Sequence, residues 1–311
     1  MTGYKTIRFM RVDIVIVNWN SGSLLQQCVD SVLASSAINQ IGKIIIADNH
    51  STDESLLSLP QHPAISIINN DSNLGFSKAC NQGFNASKTE YVLLLNPDTV
   101  MFPETIQQCI VYMDDHHDIG ILGCQLLDEA GRITYSCARF PRAVDFVIHG
   151  TGLSRLFPKV FRPATLMTDW SHNESREVDQ VMGAFMFMRR DIFQEIGYFD
   201  ERFFVYFEEL DFSLRYRKAG GKIFFNADIK AIHSGMGTTD KVKAFRLFLN
   251  LRSRLQYARK HYSTFGFVSV YISTFSIEFL MRLLMLLFSG RMAECRDLFR
   301  GYGMLWRRRW V

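Results

Sequence analysis

Apolar and polar positions follow two rhythms over the first hundred residues, and the rhythm switches at regular intervals. Val12-Asp-Ile-Val-Ile-Val17 predicts a strand, closed by the turn Asn18-Trp-Asn-Ser-Gly22. Leu24 to Ala34 repeats its apolar residues (Leu24, Leu25, Cys28, Val32) at helical spacing. Ile41 to Ala47 predicts a second strand, ending at Asp48-Asn-His-Ser-Thr-Asp53, where Ser51 or Thr52 is placed to cap a short helix. Ala64 to Ile68 predicts a third strand. Asn73-Leu-Gly-Phe-Ser-Lys-Ala-Cys-Asn-Gln-Gly83 then opens a helix, with Gly75 as the tight turn and Asn81 on the helix face. Tyr91 to Leu95 is continuously apolar, as in a strand buried on both faces. Pro97 ends it, because proline has no N–H for the ladder. Strands alternating with helices at this spacing predict βαβ units, right-handed crossovers and a mainly parallel α/β sheet.

Three of these strand ends carry polar turns: Asn18/Asn20, Asp48/Asn49/Asp53 and Asn96/Asp98. Open α/β sheets bind ligands at the carboxyl ends of their strands, so the convergence predicts a nucleotide pocket. The amide oxygen of Asn96 and the carboxylate of Asp98 suit a hard divalent cation holding a diphosphate. The bland reading of Asp98 is a cap for a following helix. Neither GxGxxG nor GxxxxGK[ST] occurs, which argues against dinucleotide oxidoreductases and P-loop NTPases.

Beyond residue 118 the pattern is less regular. Ile119 to Cys124 predicts a strand and Gly131 to Ser136 an exposed one. Pro141 to Pro163 reads as an irregular, acceptor-side loop. Val181 to Met188 predicts a buried strand, with Gly183 permitting close backbone approach. Asp191 is placed to cap a short helix that stops at Gly197. Glu208 and Glu209 open a helix running to about Ala219, ahead of Gly220-Gly221. Acidic residues in a first helical turn are common for electrostatic reasons alone. Here, however, neighbouring carboxylates lie among aromatics, a setting that raises carboxyl pKa values as a general base requires. Lys230-Ala-Ile-His-Ser-Gly-Met-Gly237 is a glycine-rich stretch open to phosphate approach, although a lone histidine is more often structural.

Asp240 to His261 predicts a long helix. Phe265 to Phe288 is almost wholly apolar and long enough to span a bilayer, but Glu278 and Arg282 interrupt it. Two central charges cost about 5–7 kcal/mol on the insertion scale, and the fourteen Leu, Ile, Phe and Val residues return roughly 4–8. This balance favours an element lying on, or dipping into, one leaflet. The competing reading packs it on the protein or on a second copy in a homo-oligomer. Six arginines and two acidic residues within 291–311 account for the whole net charge of +4. The basic character therefore belongs to a tail, and Trp306-Arg-Arg-Arg-Trp310 suits an anionic membrane interface and not a nucleic-acid groove. The six cysteines form no CxxC pair, as expected of reduced thiols in a cytosolic chain, and no cleaved signal is expected.

The ordered motifs Val-Asn-Trp-Asn-Ser, Ala-Asp-Asn-His-Ser-Thr-Asp, Asn-Leu-Gly-Phe-Ser-Lys-Ala-Cys-Asn-Gln-Gly and Leu-Leu-Asn-Pro-Asp resemble family 2 glycosyltransferases of the GT-A fold, and most closely their rhamnosyltransferase-like branch. The resemblance implies an α/β GT-A domain over residues 1–238 and a helical, membrane-associating appendage over 239–311. It implies donor contacts at Asn18, Asn20, Asp48 and Asn49, at Gly75, Phe76 and Asn81, and at Asn96. Asn-Pro-Asp stands where the family has Asp-x-Asp, with Asn96 replacing the first aspartate. Asp98 and His233 then fall at metal or diphosphate positions, for Mg²⁺ or Mn²⁺. Glu209 matches the catalytic base of a Glu-Asp-x-Asp-Leu motif, with Glu208 orienting the site and Asp211 and Arg215 in support. The implied activity is inverting transfer of a sugar, such as L-rhamnose carried on dTDP, to a lipid-linked saccharide. That reaction belongs to cell-surface polysaccharide assembly, including O-antigen, at the cytoplasmic face of the inner (plasma) membrane. A nucleotidyltransferase would also use such a sheet, but Asn18-Trp-Asn-Ser-Gly22 lacks the basic residue of its phosphate loop. An inactive membrane-bound scaffold would have a degraded site, whereas Asp98, Glu208, Glu209 and His233 are all present.

Overall fold

A computed structural model describes residues 10–157, 160, 161, 163–235 and 243–307. The first half contains β1 (Val12–Asn18), α1 (Ser23–Leu33), β2 (Ile41–Asp48), β3 (Ile65–Asn69), α2 (Phe76–Ala86), β4 (Tyr91–Leu95), β5 (Thr99–Met101), α3 (Thr105–Asp115) and β6 (Ile119–Leu127). There follow β7 (Cys137–Ala138), α4 (Ala143–Gly150), α5 (Leu153–Leu156), β8 (Arg176–Glu177), β9 (Gln180–Val181), β10 (Phe185–Arg189), α6 (Ile192–Ile196), α7 (Glu208–Lys218) and β11 (Lys222–His233). The chain closes with α8 (Lys243–His261), α9 (Thr264–Ser273), α10 (Phe279–Phe288) and α11 (Met292–Arg307).

The main sheet runs β3-β2-β1-β4-β10-β6-β11-β5, with β8 paired to β11. Its β3-β2-β1-β4 half is parallel, as the βαβ pattern requires. The other half is mixed: β10 is antiparallel to both β4 and β6, and β5 is antiparallel to β11. Period-two alternation divides the central strands between two cores. Ile14, Ile16, Leu93, Leu95 and Phe187 face α1 and α3, whereas Val15, Val17, Val92, Leu94 and Met188 face α2 and α7.

Several local expectations differ from the structure. No helix follows Ser51, because its hydroxyl bonds Asp48 and that of Ser55 bonds Asp53, which closes turns instead. Asp98 is followed by the short strand β5, so it caps no helix. Gly131–Ser136 forms no strand. Asp128 accepts the N–H groups of Ala130 and Arg132 and makes a turn, with an isolated bridge from Leu127 to Ile133. The stretch 141–163 contains α4, which packs on α9 more than a hundred residues away. The strand expected over Val181–Met188 breaks at 182–184. Asp191 precedes α6 without a side-chain cap. Asp240, Met236, Gly237 and Arg308 to Trp310 lie outside the described residues.

Helices α8–α11 share a core with the loop before α7. Phe203 and Leu210 pack with Phe248, Leu251, Leu255, Val270, Tyr302 and Leu305. From Thr264 to Phe288 the chain is one continuous helix of 25 residues, with a π-helical stretch at Thr274–Glu278. Its most polar residues face inward beside Val270. Ser273, Thr274 and Glu278 face the protein, and Phe265, Val268, Ile272, Leu280, Leu287 and Phe288 face outward. Glu278 is ion-paired with buried Arg254 and lies 2.8 Å from Arg282. Burial raises the pKa of Glu278, but the two guanidiniums bring it down to about 2. The charges that make a bilayer crossing costly are therefore held against the protein.

Candidate active site

A cleft of about 570 Å³ opens at the carboxyl ends of β1, β2 and β4 and continues to the start of α7 and to α8. Pairing of β5 with β11 places Thr99 opposite His233 and thereby joins residues 134 positions apart in the chain. Asp98 Oδ1 lies 3.3 Å from His233 Nε2. Asn96 and Pro97 line the same wall.

Glu208 and Glu209 enter from the first turn of α7. The two residues before them, Tyr206 and Phe207, both have left-handed backbone, with φ of 69° and 71°. Non-glycine residues rarely adopt this region, and such strain collects at functional sites. Surrounding bonds hold the loop in place: Phe204 O accepts from Phe76 N (2.6 Å), Phe203 O from Ser77 Oγ (2.6 Å) and Val205 O from Ser253 Oγ (2.8 Å). Gly75, at φ 88°, belongs to this contact, since a Cβ there would stand 2.6 Å from Phe204 O.

Glu208 is buried and its Oε2 has no hydrogen-bond partner. Burial, and then the charge of Glu209, push its carboxyl well above the usual range. Burial raises Glu209 too, against the N–H groups of Glu209 and Gly183 and a hydrogen bond from Glu208. Burial therefore favours the protonated form of both acids, more strongly for Glu208. The break in the expected strand falls at Gly183, whose side-chain space Glu209 occupies. A Cβ at 183 would lie 2.5 Å from Glu209 Oε1.

The other sequence candidates are placed as follows. Asn49, Gly75 and Phe76 line the cleft. Asn18 and Asp48 lie behind it. Asn18 Nδ2 donates to Asp48 Oδ1 (2.7 Å), Ser51 Oγ (3.0 Å) and Ser55 Oγ (2.8 Å), while its Oδ1 has no partner. Asn20 Oδ1 accepts from Thr52 N at 2.7 Å. Asn81 ties α2 to the loop before α7, bonding Phe199 N and O and Glu201. Asp211 is fully buried between Arg215 (2.9 Å), Lys260 (2.6 Å) and His261 (2.7 Å). Burial opposes its charge, but His261, Lys260 and Arg215 hold its carboxyl below the usual range. Asp211 and Arg215 thus fasten α7, through Asp211, to the end of α8. Lys260 and His261 had no sequence signal for this role. Trp19, Asn73, Gln180, Met182, Tyr206, Phe245, Arg246 and Leu249 also line the cleft. None of these was a candidate by pattern, although Trp19 lies inside the polar turn after β1 and Asn73 opens the motif before α2.

Asp98 and His233 offer one carboxylate and one imidazole. Among the described residues no group of three or more His, Cys, Asp or Glu is arranged to hold an ion by itself. A two-residue site fits a cation whose remaining ligands are phosphate oxygens and water.

The family described as Glycosyl transferase family 2 matches residues 13–197. N-acetylglucosaminyl-diphospho-decaprenol L-rhamnosyltransferase of Mycobacterium tuberculosis is 24% identical over 252 residues, covering 77% of this chain and 81% of that protein. Rhamnosyltransferase WbbL of Escherichia coli K12 is 27% identical over 264 residues, covering 80% and 93%. The crystal structure of GalNAc-T7 with UDP, GalNAc and Mn²⁺ superposes with a TM-score of 0.57 at 15% identity, over 81% of this chain. The chain spans about half of that protein (48%), and the likeness establishes the GT-A fold.

Proposed function

The chain belongs to glycosyl transferase family 2, and from that premise we propose that it is an inverting, metal-assisted sugar transferase. It takes a sugar, L-rhamnose by analogy with the relatives, from a nucleotide donor such as dTDP-rhamnose to a hydroxyl of a lipid-linked saccharide in cell-surface polysaccharide assembly. The observation that carries this reading is the meeting of Asp98, His233 and Glu209 in one cleft. The strand-end wall, with Trp19, Asn49 and Asn96, receives the nucleotide. Asp98 and His233 would hold Mg²⁺ or Mn²⁺, an ion that would offset the charge of the departing diphosphate. Glu209 takes the proton as the acceptor oxygen bonds to the anomeric carbon and the carbon–diphosphate bond breaks. One displacement of this kind inverts that carbon. Glu208, kept protonated by burial, donates to Glu209 and orients it.

The outward apolar face of α9–α10 and the exposed Arg296 and Arg300 of α11 support docking on the anionic cytoplasmic leaflet without crossing it. Deleting 264–311 is a poor test, because it removes Val270, Tyr302 and Leu305 from the core and leaves Arg254 buried without its partner. The double substitution Ile272→Asp/Leu280→Asp keeps that core. Loss of flotation with anionic vesicles is expected, and unchanged flotation removes the membrane reading.

The full chain supplied with dTDP-rhamnose and polyprenyl-diphosphate-linked N-acetylglucosamine should release dTDP and form the α- or β-glycoside of inverted configuration. Full activity in excess chelator would remove the metal, retained configuration the single displacement, and pyrophosphate release the transfer itself.

A further inference from the structure

The cleft has two unlike walls. The strand-end wall carries Asn49, Asn73, Asn96, Asp98 and His233. Away from the strand ends the lining is mixed: Leu166, Met182, Val205, Phe207, Phe245 and Leu249 stand with Thr165, Gln180 and Tyr206, and with one cation, Arg246. Among the described lining residues Arg246 is the only lysine or arginine, set against the three carboxylates Asp98, Glu208 and Glu209. Phe245, Arg246 and Leu249 stand at i, i+1 and i+4 of α8 and so share one side of that helix. Leu249 is rooted in the core that α8 shares with Phe203 and Leu210, and Phe245 packs against Phe248. The positions are therefore held rigidly, and the exposed guanidinium is presented from an apolar ledge.

The geometry points to this ledge as the seat of the lipid-proximal end of the acceptor. Arg246 pairs with the diphosphate of a polyprenyl-diphosphate saccharide, and Phe245 and Leu249 receive its first isoprene units. The inference rests on the reading of the acceptor as lipid-linked and adds the residues that recognise it. A sugar nucleotide has apolar faces on its base and deoxysugar but no hydrocarbon chain to bury beside a cation. An amphiphile that carries an anion between saccharide and hydrocarbon matches a cation among apolar side chains, and a guanidinium grips phosphate oxygens in pairs. The saccharide then extends toward Glu209, which lines the same cleft. Helix α11 crosses α8 in close contact beside these positions. A Cβ on Gly301 would lie 2.9 Å from Ala244 O and 3.1 Å from a methyl of Leu247. From that crossing α11 presents half-exposed Phe299 and Trp306 to the outside.

The test uses the full chain and three titrations: dTDP-rhamnose, polyprenyl-diphosphate-linked N-acetylglucosamine, and octyl N-acetylglucosaminide, which lacks the diphosphate. Arg246→Gln should raise KM for the lipid-diphosphate acceptor by about tenfold or more, the effect of losing a charged hydrogen bond. KM for the donor and turnover of the octyl glycoside should stay within about twofold. Arg246→Lys should recover part of the loss, and Phe245→Ser should penalise a polyprenyl or geranyl chain more than a methyl group in its place. An unchanged KM for the lipid-diphosphate acceptor in Arg246→Gln overturns the proposal. So does an equal loss with both acceptors, or a rise confined to donor KM, either of which assigns Arg246 to the donor diphosphate. If the unaltered chain uses the octyl glycoside but not the lipid-diphosphate acceptor, the lipid-linked reading itself fails.

Discussion

Two groups of polar residues stand at the carboxyl ends of one sheet, and they are used differently. After β1 and β2, Asn18, Asn20, Asp48, Ser51 and Ser55 bond chiefly to one another and fix the shape of two turns. After β4 and β11, and at the start of α7, Asp98, His233, Glu208 and Glu209 converge with few partners, and Glu208 Oε2 has none. Leaving a buried acid unsatisfied costs stability, whereas a closed set of hydrogen bonds supplies it. Residue type and strand-end position are common to both groups. What separates the two groups is how far their members bond to one another, although Asn18 Oδ1 in the first, like Glu208 Oε2 in the second, has no partner.

Three substitutions sharpen or break that contrast, in falling order of effect on turnover. Glu209→Gln should lower turnover about 100-fold or more while donor binding and Tm hold. Its carboxyl is raised above the ordinary 4.5, so in the parent protein activity should fall, as pH drops, through a limb lying above pH 4.5. The base works only when deprotonated, and a limb at or below 4.5 would contradict its burial. Gly183→Ala pushes a methyl toward Glu209 Oε1 and should lower turnover about tenfold by misplacing the base. Normal turnover there would mean that the carboxylate need not sit against the β9–β10 break. Asn18→Ala should have the smallest effect on turnover, within about threefold per folded molecule. It strands the groups that Asn18 served and should cost about 1–3 kcal/mol, read as a lower Tm. A large loss of turnover at unchanged Tm would move the first group from scaffold to chemistry.

The parallel half of the sheet was legible because each of its strands is a short apolar run closed by a polar turn. The meeting of Asp98 with His233 was not readable from spacing, because the β5–β11 pairing joins distant segments, and the family resemblance supplied it. Residues 141–163 looked irregular because α4 finds its apolar partner in α9, far along the chain. Hydropathy marked Phe265–Phe288 as long and apolar, but composition has no direction. Which face Glu278 takes depends on Arg254, a residue of another helix. Glu208 and Glu209 were visible as an acidic first turn. Their displaced proton affinities follow from burial, and the left-handed Tyr206 and Phe207 that aim them carry no glycine to announce the turn.

The joint between α7 and α8 also bears on how the protein is made. Val205 O is held by Ser253, Asp211 by Lys260 and His261, and Phe203 by a core that includes Tyr302 and Leu305. These partners are translated after the acidic pair they steady. A nascent chain that has cleared the ribosome only as far as β11 lacks these partners, so the seat of Glu208 and Glu209 is complete only once α8 to α11 have been made.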